Sequence, residues 1–104
     1  MGRYDVYANP HAAERRHTPF VLDVQNDYIL ALDSRVVIPL RVRSVMSRPS
    51  EVLNPELDVA GKTVVADTAS LAPVPAAMLR NPVTRLNSSS HLIADALDAL
   101  FGSY

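Results

Sequence analysis

The stretch VVIPLRVR, residues 36–43, has the two-residue period of a β-strand with one buried face. One face is wholly aliphatic and consists of Val36, Ile38, Leu40 and Val42. The other face is mixed and consists of Val37, Pro39, Arg41 and Arg43. Because Pro39 has no N–H to donate to a neighbouring strand, we expect a sheet edge or a β-bulge at this position. The pattern predicts a half-buried strand at the centre of the sequence.

Further strands are predicted on both sides of this stretch. RYDVYA (3–8) and FVLDVQ (20–25) alternate in the same way, and ELDVAGKTVVAD (56–67) is typical of a β-hairpin that turns at Ala60-Gly61. ASLAPVPAAM (69–78) is apolar but contains two prolines, which favours a turn or an extended edge over a helix. The chain up to this point therefore predicts a mostly antiparallel sheet.

The period changes in NSSSHLIADALDALF, residues 87–101, where apolar side chains recur at helical spacing. The apolar stripe consists of Leu92, Ile93, Ala96, Leu97, Leu100 and Phe101. Ser88 to Ser90 are expected to supply N-cap hydroxyls, and Gly102 stands where a C-cap glycine belongs. We predict one amphipathic C-terminal helix of about four turns, and thus a mainly β fold that ends in a helix.

Composition limits the classes of protein to consider. At 104 residues we expect one domain, residues 1–104, and the 48% apolar content suits a folded core. There is no cysteine, and the net charge of −1 argues against direct binding of nucleic acid. No apolar run approaches the roughly 20 residues of a membrane span, and no signal peptide is recognisable. We expect a cytoplasmic protein that does not bind membranes.

Catalytic and metal-binding motifs are sparse. The three histidines, His11, His17 and His91, have no ligand spacing with one another or with a carboxylate, so we expect no metal site. With three glycines in the chain, no phosphate-binding loop is present, and we expect no cofactor and no catalytic residues. The segment NDYILALDS (26–34) places apolar residues between two pairs of turn residues. Together with a sheet and a terminal helix, this favours a binding protein over an enzyme.

Five segments, in this order and at this spacing, resemble the CcdB family of toxins. They are VY (6–7), FVLDVQND (20–27), VVIPL (36–40), ADTASLAPVP (66–75) and a helix that ends in LF (100–101). The resemblance covers nearly the whole chain. It implies a small SH3-like barrel of antiparallel strands, a fold shared with Kid and MazF. It also implies a homodimer with the two helices near the two-fold axis, and Leu97, Leu100 and Phe101 at the interface.

The function implied by the resemblance is the poisoning of DNA gyrase. Family members enter between the two A subunits and trap the complex of gyrase with cleaved DNA, and they catalyse nothing. A CcdA-like antitoxin neutralises the toxin, and operator DNA is contacted through the antitoxin. The net charge of −1 agrees with that division of roles.

The resemblance also implies which residues contact gyrase. An apolar pair after the VQSD-like strand corresponds to Tyr28 and Ile29, a helix residue that faces gyrase corresponds to Asp98, and the phenylalanine at the helix end corresponds to Phe101. Asp98 replaces a familiar neutral asparagine.

The tail departs from the family pattern. The familiar Trp-Gly-Ile tail, whose tryptophan stacks on an arginine of gyrase, aligns with Gly102, Ser103 and Tyr104, and the chain has no tryptophan. Tyr104 either substitutes as the aromatic residue, through a cation–π contact of about 0.5–2 kcal/mol, or stays unbound in solvent.

Two other functions stay open at this point. The first is an endoribonuclease toxin of the MazF/Kid type, which would recruit Asp23 with Arg41 or Arg43 as base and phosphate-binding residues. The second is a non-toxic binding protein with the CcdB fold, which occupies gyrase or the antitoxin without poisoning.

Overall fold

The computed structural model describes residues 2–29 and 32–102. Seven strands and one α-helix follow one another along this part of the chain. The strands are β1 (Asp5–Ala8), β2 (Phe20–Asp23), β3 (Ser34–Val42), β4 (Glu56–Val59), β5 (Lys62–Ala66), β6 (Ala72–Pro75) and β7 (Thr84–Arg85). The helix α1 spans Ser90–Phe101, directly after a short 3-10 helix at Asn87–Ser89.

The strands form one antiparallel sheet in the order β4-β5-β3-β2-β1-β7, with β6 also paired to β3. The sheet curls into a nearly closed barrel, and α1 follows the last strand. The mainly β fold with a C-terminal helix and the SH3-like barrel are therefore confirmed.

β3 is the central strand of the sheet, so the predicted sheet edge at Pro39 is wrong. β3 pairs with β2 on one side, and on the other side with β5 over residues 40–42 and with β6 over residues 34–37. Pro39 lies in the gap between these two ladders, where its carbonyl accepts the N–H of Asp67 at 3.0 Å. Because a strand residue directs its N and C=O to the same side, the missing N–H falls where no strand needs it.

The main core lies between one face of the sheet and the helix. Val6, Leu22, Ile38, Leu40 and Ile93 are each at most 1% exposed and belong to this cluster. The first four come from strand faces that the two-residue period assigned to the interior, and Ile93 comes from the apolar stripe of the helix. The alternation of each strand therefore predicts the main core correctly.

The second face of the sheet is also partly covered, which the interpretation of β3 as half-buried did not anticipate. Val37 is 3% exposed and packs in a separate cluster with Tyr7, Val21 and Leu79. This happens because Val74 of β6 and Leu79, which follows β6, pack against that face. β6 itself is the extended segment expected at the two prolines.

The helix matches its prediction in position, but not in its N-cap. Ser89 is the N-cap residue, yet its hydroxyl makes no capping hydrogen bond, so the expected serine cap is wrong. Instead, a 3-10 turn leads into α1, in which the N–H of Ser89 donates to the carbonyl of Leu86. Within residues 2–29 and 32–102, no helix is long and apolar enough to cross a membrane.

Candidate functional site

The connection between β2 and β3 carries a tight turn that exposes two apolar side chains. The side chain of Asn26 accepts the N–H of Tyr28 at 2.9 Å, and its carbonyl accepts the N–H of Ile29 at 3.1 Å. This is the turn that an asparagine side chain forms with its own backbone. Tyr28 is 93% exposed and Ile29 is 45% exposed. The predicted contact pair thus lies on an internally hydrogen-bonded turn and faces solvent.

A buried ion pair lies at the base of this turn. Nε of Arg35, on β3, donates to Oδ2 of Asp23 at 2.7 Å, and the Asp23 side chain is fully buried. Burial raises the pKa of the Asp23 carboxyl, and its hydrogen bond from Arg35 opposes that rise. The same hydrogen bond raises the pKa of Arg35. The pair connects β2 and β3 at the point where the turn leaves the barrel.

The end of α1 presents the second group of predicted contact residues. Gly102 ends the helix in the left-handed conformation, with φ 69° and ψ 40°, and its N–H bonds to the carbonyl of Asp98 at 2.8 Å. The predicted glycine C-cap is therefore confirmed. Phe101 is 68% exposed, and Asp98 is exposed on the same last turn.

The three residues predicted at a dimer interface differ in their solvent exposure. Leu97 packs against the protein's own core cluster and is half-buried. Leu100 is also half-buried, whereas Phe101 is mostly exposed. Phe101 and Leu100 thus offer more accessible surface to a second copy than Leu97 does.

The two groups of predicted contact residues lie on separate elements. Among residues 2–29 and 32–102, no hydrogen bond or ion pair joins the turn at 26–29 to the last turn of α1. Ser103 and Tyr104, the remaining predicted contacts, lie outside the described residues. The predicted contact residues that the structure describes thus form two exposed patches, one on a strand connection and one at a helix end.

The residues considered for a ribonuclease do not form an accessible catalytic set. Asp23 is fully buried and its carboxylate is bound by Arg35. Arg41 is engaged by Asp67 at 2.8 Å and by the hydroxyl of Thr18 at 2.6 Å. In the part of the chain that the structure describes, no three His, Asp or Glu side chains come together as metal ligands.

A cleft of about 200 Å³ opens on the second face of the sheet, beside the long loop that follows β1. Its lining combines apolar side chains such as Val37 and Pro73 with His11, Glu14 and Arg41. Arg41 already has an acidic partner here, so the cleft has little net attraction for an anion. The cleft is separate from both exposed patches.

The ion pair of Asp23 and Arg35 was missed in the sequence. The available signal was Asp23 itself, because a carboxylate within a run of apolar strand residues needs a buried partner. Arg35, just before the aliphatic run of β3, is the cation that fulfils this need. Strand alternation places Asp23 on the face opposite Leu22 and Val24, but it does not identify its partner.

The fold and the two patches together define the class: a small antiparallel barrel that ends in a helix and exposes an aromatic residue at each of two turns. A family model described as CcdB protein matches residues 3–102. The chain therefore belongs to the CcdB family, whose members are toxins of toxin–antitoxin systems. No curated protein matches the chain.

Proposed function

We propose that this protein is a toxin that binds the A subunits of DNA gyrase and traps the complex of gyrase with cleaved DNA. It acts as a wedge and does not make or break bonds. The contact residues are Tyr28 and Ile29 on the turn, and Asp98, Phe101 and Gly102 at the helix end.

One observation carries this proposal: two of the positions that family likeness assigns to gyrase carry the two most exposed of the large apolar side chains described. Tyr28 is 93% exposed and Phe101 is 68% exposed. Exposed aromatic residues on ordered elements are typical of binding hot spots, because they bury a large area with little loss of conformational freedom.

The proposal includes the partners expected for the family. The toxin acts as a homodimer through Leu97, Leu100 and Phe101, with Phe101 shared between the partner copy and gyrase. A cognate CcdA-like antitoxin neutralises it in the cytoplasm, and operator DNA is bound only through that antitoxin. The toxin's net charge of −1 supports this last point, since phosphate binding requires a basic surface.

The tail is the part of the proposal in which this chain differs from the family pattern. The left-handed conformation of Gly102 costs a residue with a side chain about 1–2 kcal/mol, so a tryptophan is disfavoured in this backbone geometry. We propose that Tyr104, which lies outside the described residues, supplies the aromatic ring that the tryptophan supplies elsewhere. Its target is the arginine of gyrase.

The experiment is a cleavage assay with the full-length toxin, gyrase, supercoiled DNA and ATP, stopped with detergent and protease. We expect linear DNA to accumulate with the wild-type toxin and with Val52→Ala, a control at an exposed aliphatic residue outside the proposed contacts. We expect it to be lost with Phe101→Ala. A wild-type toxin that leaves no cleaved DNA would refute the proposal.

Two further arms separate the remaining hypotheses. A chain that ends at Gly102 tests the tail: unchanged trapping would exclude Tyr104 as the aromatic contact. Incubation of the toxin with RNA tests the ribonuclease function, and we expect no cleavage, because Asp23 is buried and bound to Arg35.

A further inference from the structure

Among the described residues, Asp27 is the residue of the 26–29 turn whose side chain hydrogen-bonds outside the turn. Its Oδ1 accepts two hydrogen bonds: one from the backbone N–H of Arg3 at 2.8 Å, and one from Nη2 of Arg35 at 3.2 Å. The hydrogen bonds within the turn itself, from Tyr28 and Ile29 to Asn26, fix its shape but do not attach it to the barrel. Asp27 provides that attachment next to Tyr28.

Arg35 is a fixed anchor for this attachment. Its side chain is 8% exposed, and its Nε is held by the fully buried carboxylate of Asp23. The other oxygen of that carboxylate, Oδ1, accepts the N–H of Gln25 at 3.0 Å. Gln25 in turn accepts the N–H of Val36 through its side chain at 3.0 Å, so the base of the turn is fixed to both β2 and β3.

The second donor to Asp27 is fixed as well. Arg3 precedes Tyr4, which has φ 75° and whose N–H donates to the carbonyl of Asp23 at 2.7 Å. The N-terminal turn therefore lies against the end of β2 and directs the amide of Arg3 to Asp27. Two rigid donors from different parts of the chain meet on one carboxylate oxygen.

The Asp27 side chain is 57% exposed, which distinguishes its role from that of Asp23. Ion pairs exposed to this degree add little to global stability, because water screens the charges. Asp27 is also not one of the aromatic or aliphatic residues that would fill a pocket on a partner. An exposed carboxylate with two rigid donors is suited to orienting the residues next to it in the chain.

We propose that Asp27 is the positioning residue of the gyrase-binding turn: bound to Arg35 and to the amide of Arg3, it fixes the direction in which Tyr28 and Ile29 project. It acts through those two side chains and does not itself contact the partner. The effect of Asp27 on gyrase binding rests on the proposed function, whereas its effect on the order of the turn in the free protein does not.

The first test uses the free, full-length protein. Asp27→Ala is compared with Asp33→Ala, an exposed carboxylate at the other end of the same connection. In wild type and in Asp33→Ala we expect backbone order parameters for Tyr28 and Ile29 of about 0.85, the value of rigid backbone, and in Asp27→Ala we expect values below about 0.6. The urea midpoint should stay the same in all three proteins. Unchanged order parameters in Asp27→Ala would overturn the proposal.

The second test is a double-mutant cycle on binding to the A subunits of gyrase. We expect Asp27→Ala to weaken binding by about tenfold in the wild-type background and by less than about twofold when Tyr28 and Ile29 are already alanine, since residues that act through one another are not additive. Equal losses in both backgrounds would mean that Asp27 contacts gyrase directly, which would overturn the positioning role. If the wild-type protein does not bind gyrase at all, the proposed function fails, whereas the order parameters still decide the role of Asp27.

Discussion

The turn at 26–29 and the end of α1 each expose an aromatic residue, but different forces hold them in place. Tyr28 projects from a turn that is attached by Arg35, Asp23 and Asp27, two of which are buried charged groups. Phe101 projects from a helix that is attached by apolar packing, since Ile93 and Ala96 are at most 1% exposed. The comparison shows that one protein can hold two exposed aromatic residues by electrostatics at one place and by packing at another.

Because of this difference, mutations beneath the two patches should reduce the free energy of unfolding in different ways. Removing Arg35 leaves the buried Asp23 carboxylate without its cation in a dry environment, which is costly. Removing apolar volume under the helix leaves a cavity, whose cost depends on its size and hardly on pH. Variants of each kind, studied across pH, therefore separate the two mechanisms.

The largest expected effect is that of Arg35→Ala. It leaves the fully buried Asp23 carboxylate without its cation, and we expect the free energy of unfolding to fall by about 3–5 kcal/mol. Urea denaturation at pH 7 measures this loss. The loss should be smaller at pH 4, because burial raises the pKa of Asp23 and a protonated carboxyl does not need the cation.

The matched control for Arg35 is Arg43→Ala. Arg43 lies 3.4 Å from Glu56, with both side chains more than half exposed, and such pairs contribute less than about 1 kcal/mol. Similar, small losses in both variants would contradict the view that a buried ion pair anchors the turn.

Next in size is Ile93→Ala, which removes a 1% exposed side chain from the contact between helix and barrel. We expect a loss of about 2–4 kcal/mol of unfolding free energy, nearly independent of pH between 5 and 8. Leu92→Ala, one position along at 38% exposure, should cost clearly less. Equal losses at the two positions would show that the helix is not packed as described.

Tyr7 gives a smaller and strongly pH-dependent effect. Burial, helped by the Asp5 and Asp23 carboxylates, raises the pKa of Tyr7 above its ordinary 10.0. The folded state therefore retains the phenol proton longer than the unfolded chain does. The associated stability is fully present below pH 10 and is lost as the pH rises through the raised pKa, by up to about 1.4 kcal/mol per pH unit.

Urea denaturation of wild type and Tyr7→Phe between pH 8 and pH 11 checks this prediction. We expect the wild-type stability to fall more steeply above pH 10 than that of Tyr7→Phe. Parallel curves would mean that the neutral phenol of Tyr7 contributes nothing to folding.

The smallest expected effect is that of Gly102→Ala. The residue has φ 69°, and an added Cβ would meet nothing within 4 Å, so only the backbone conformation carries a cost, of about 1 kcal/mol. Gly61→Ala is the matched control, because Gly61 has φ 84° and equally open surroundings in the β4–β5 hairpin. We expect similar shifts in melting temperature for the two variants, but weaker gyrase trapping only for Gly102→Ala. Equal trapping by both variants would mean that the conformation of the helix end does not contribute to gyrase trapping.

Much of the fold was predictable because the signals are local. The two-residue alternation of β3 and the glycine after the apolar stripe of α1 predicted the main core face and the end of the helix. The predictions that failed depend on contacts distant in sequence. Pro39 suggested a sheet edge, because the local sequence does not reveal that β5 and β6 pair with the same side of β3 and leave a gap at this residue.

The exposed residues of the candidate site could be predicted, but the ion pair beneath the turn could not. The positions of Tyr28 and Phe101 came from family likeness, and the structure adds that both are exposed. The ionic anchor between Asp23 and Arg35 was not predicted, since the two residues are twelve positions apart and meet only when β2 pairs with β3. Side-chain pairs across a sheet follow from register, which alternation alone does not fix.

The most direct test of the account is the affinity of the full-length protein for the A subunits of gyrase, measured by calorimetry for wild type, Tyr28→Ala, Phe101→Ala and Val52→Ala. We expect Tyr28→Ala and Phe101→Ala each to weaken binding by about 30-fold, corresponding to a loss of about 2 kcal/mol at a hot spot, and Val52→Ala to bind like wild type. Binding that is unchanged in both aromatic variants, or equally weakened in all three, would contradict the claim that these two exposed residues form the gyrase-binding surface.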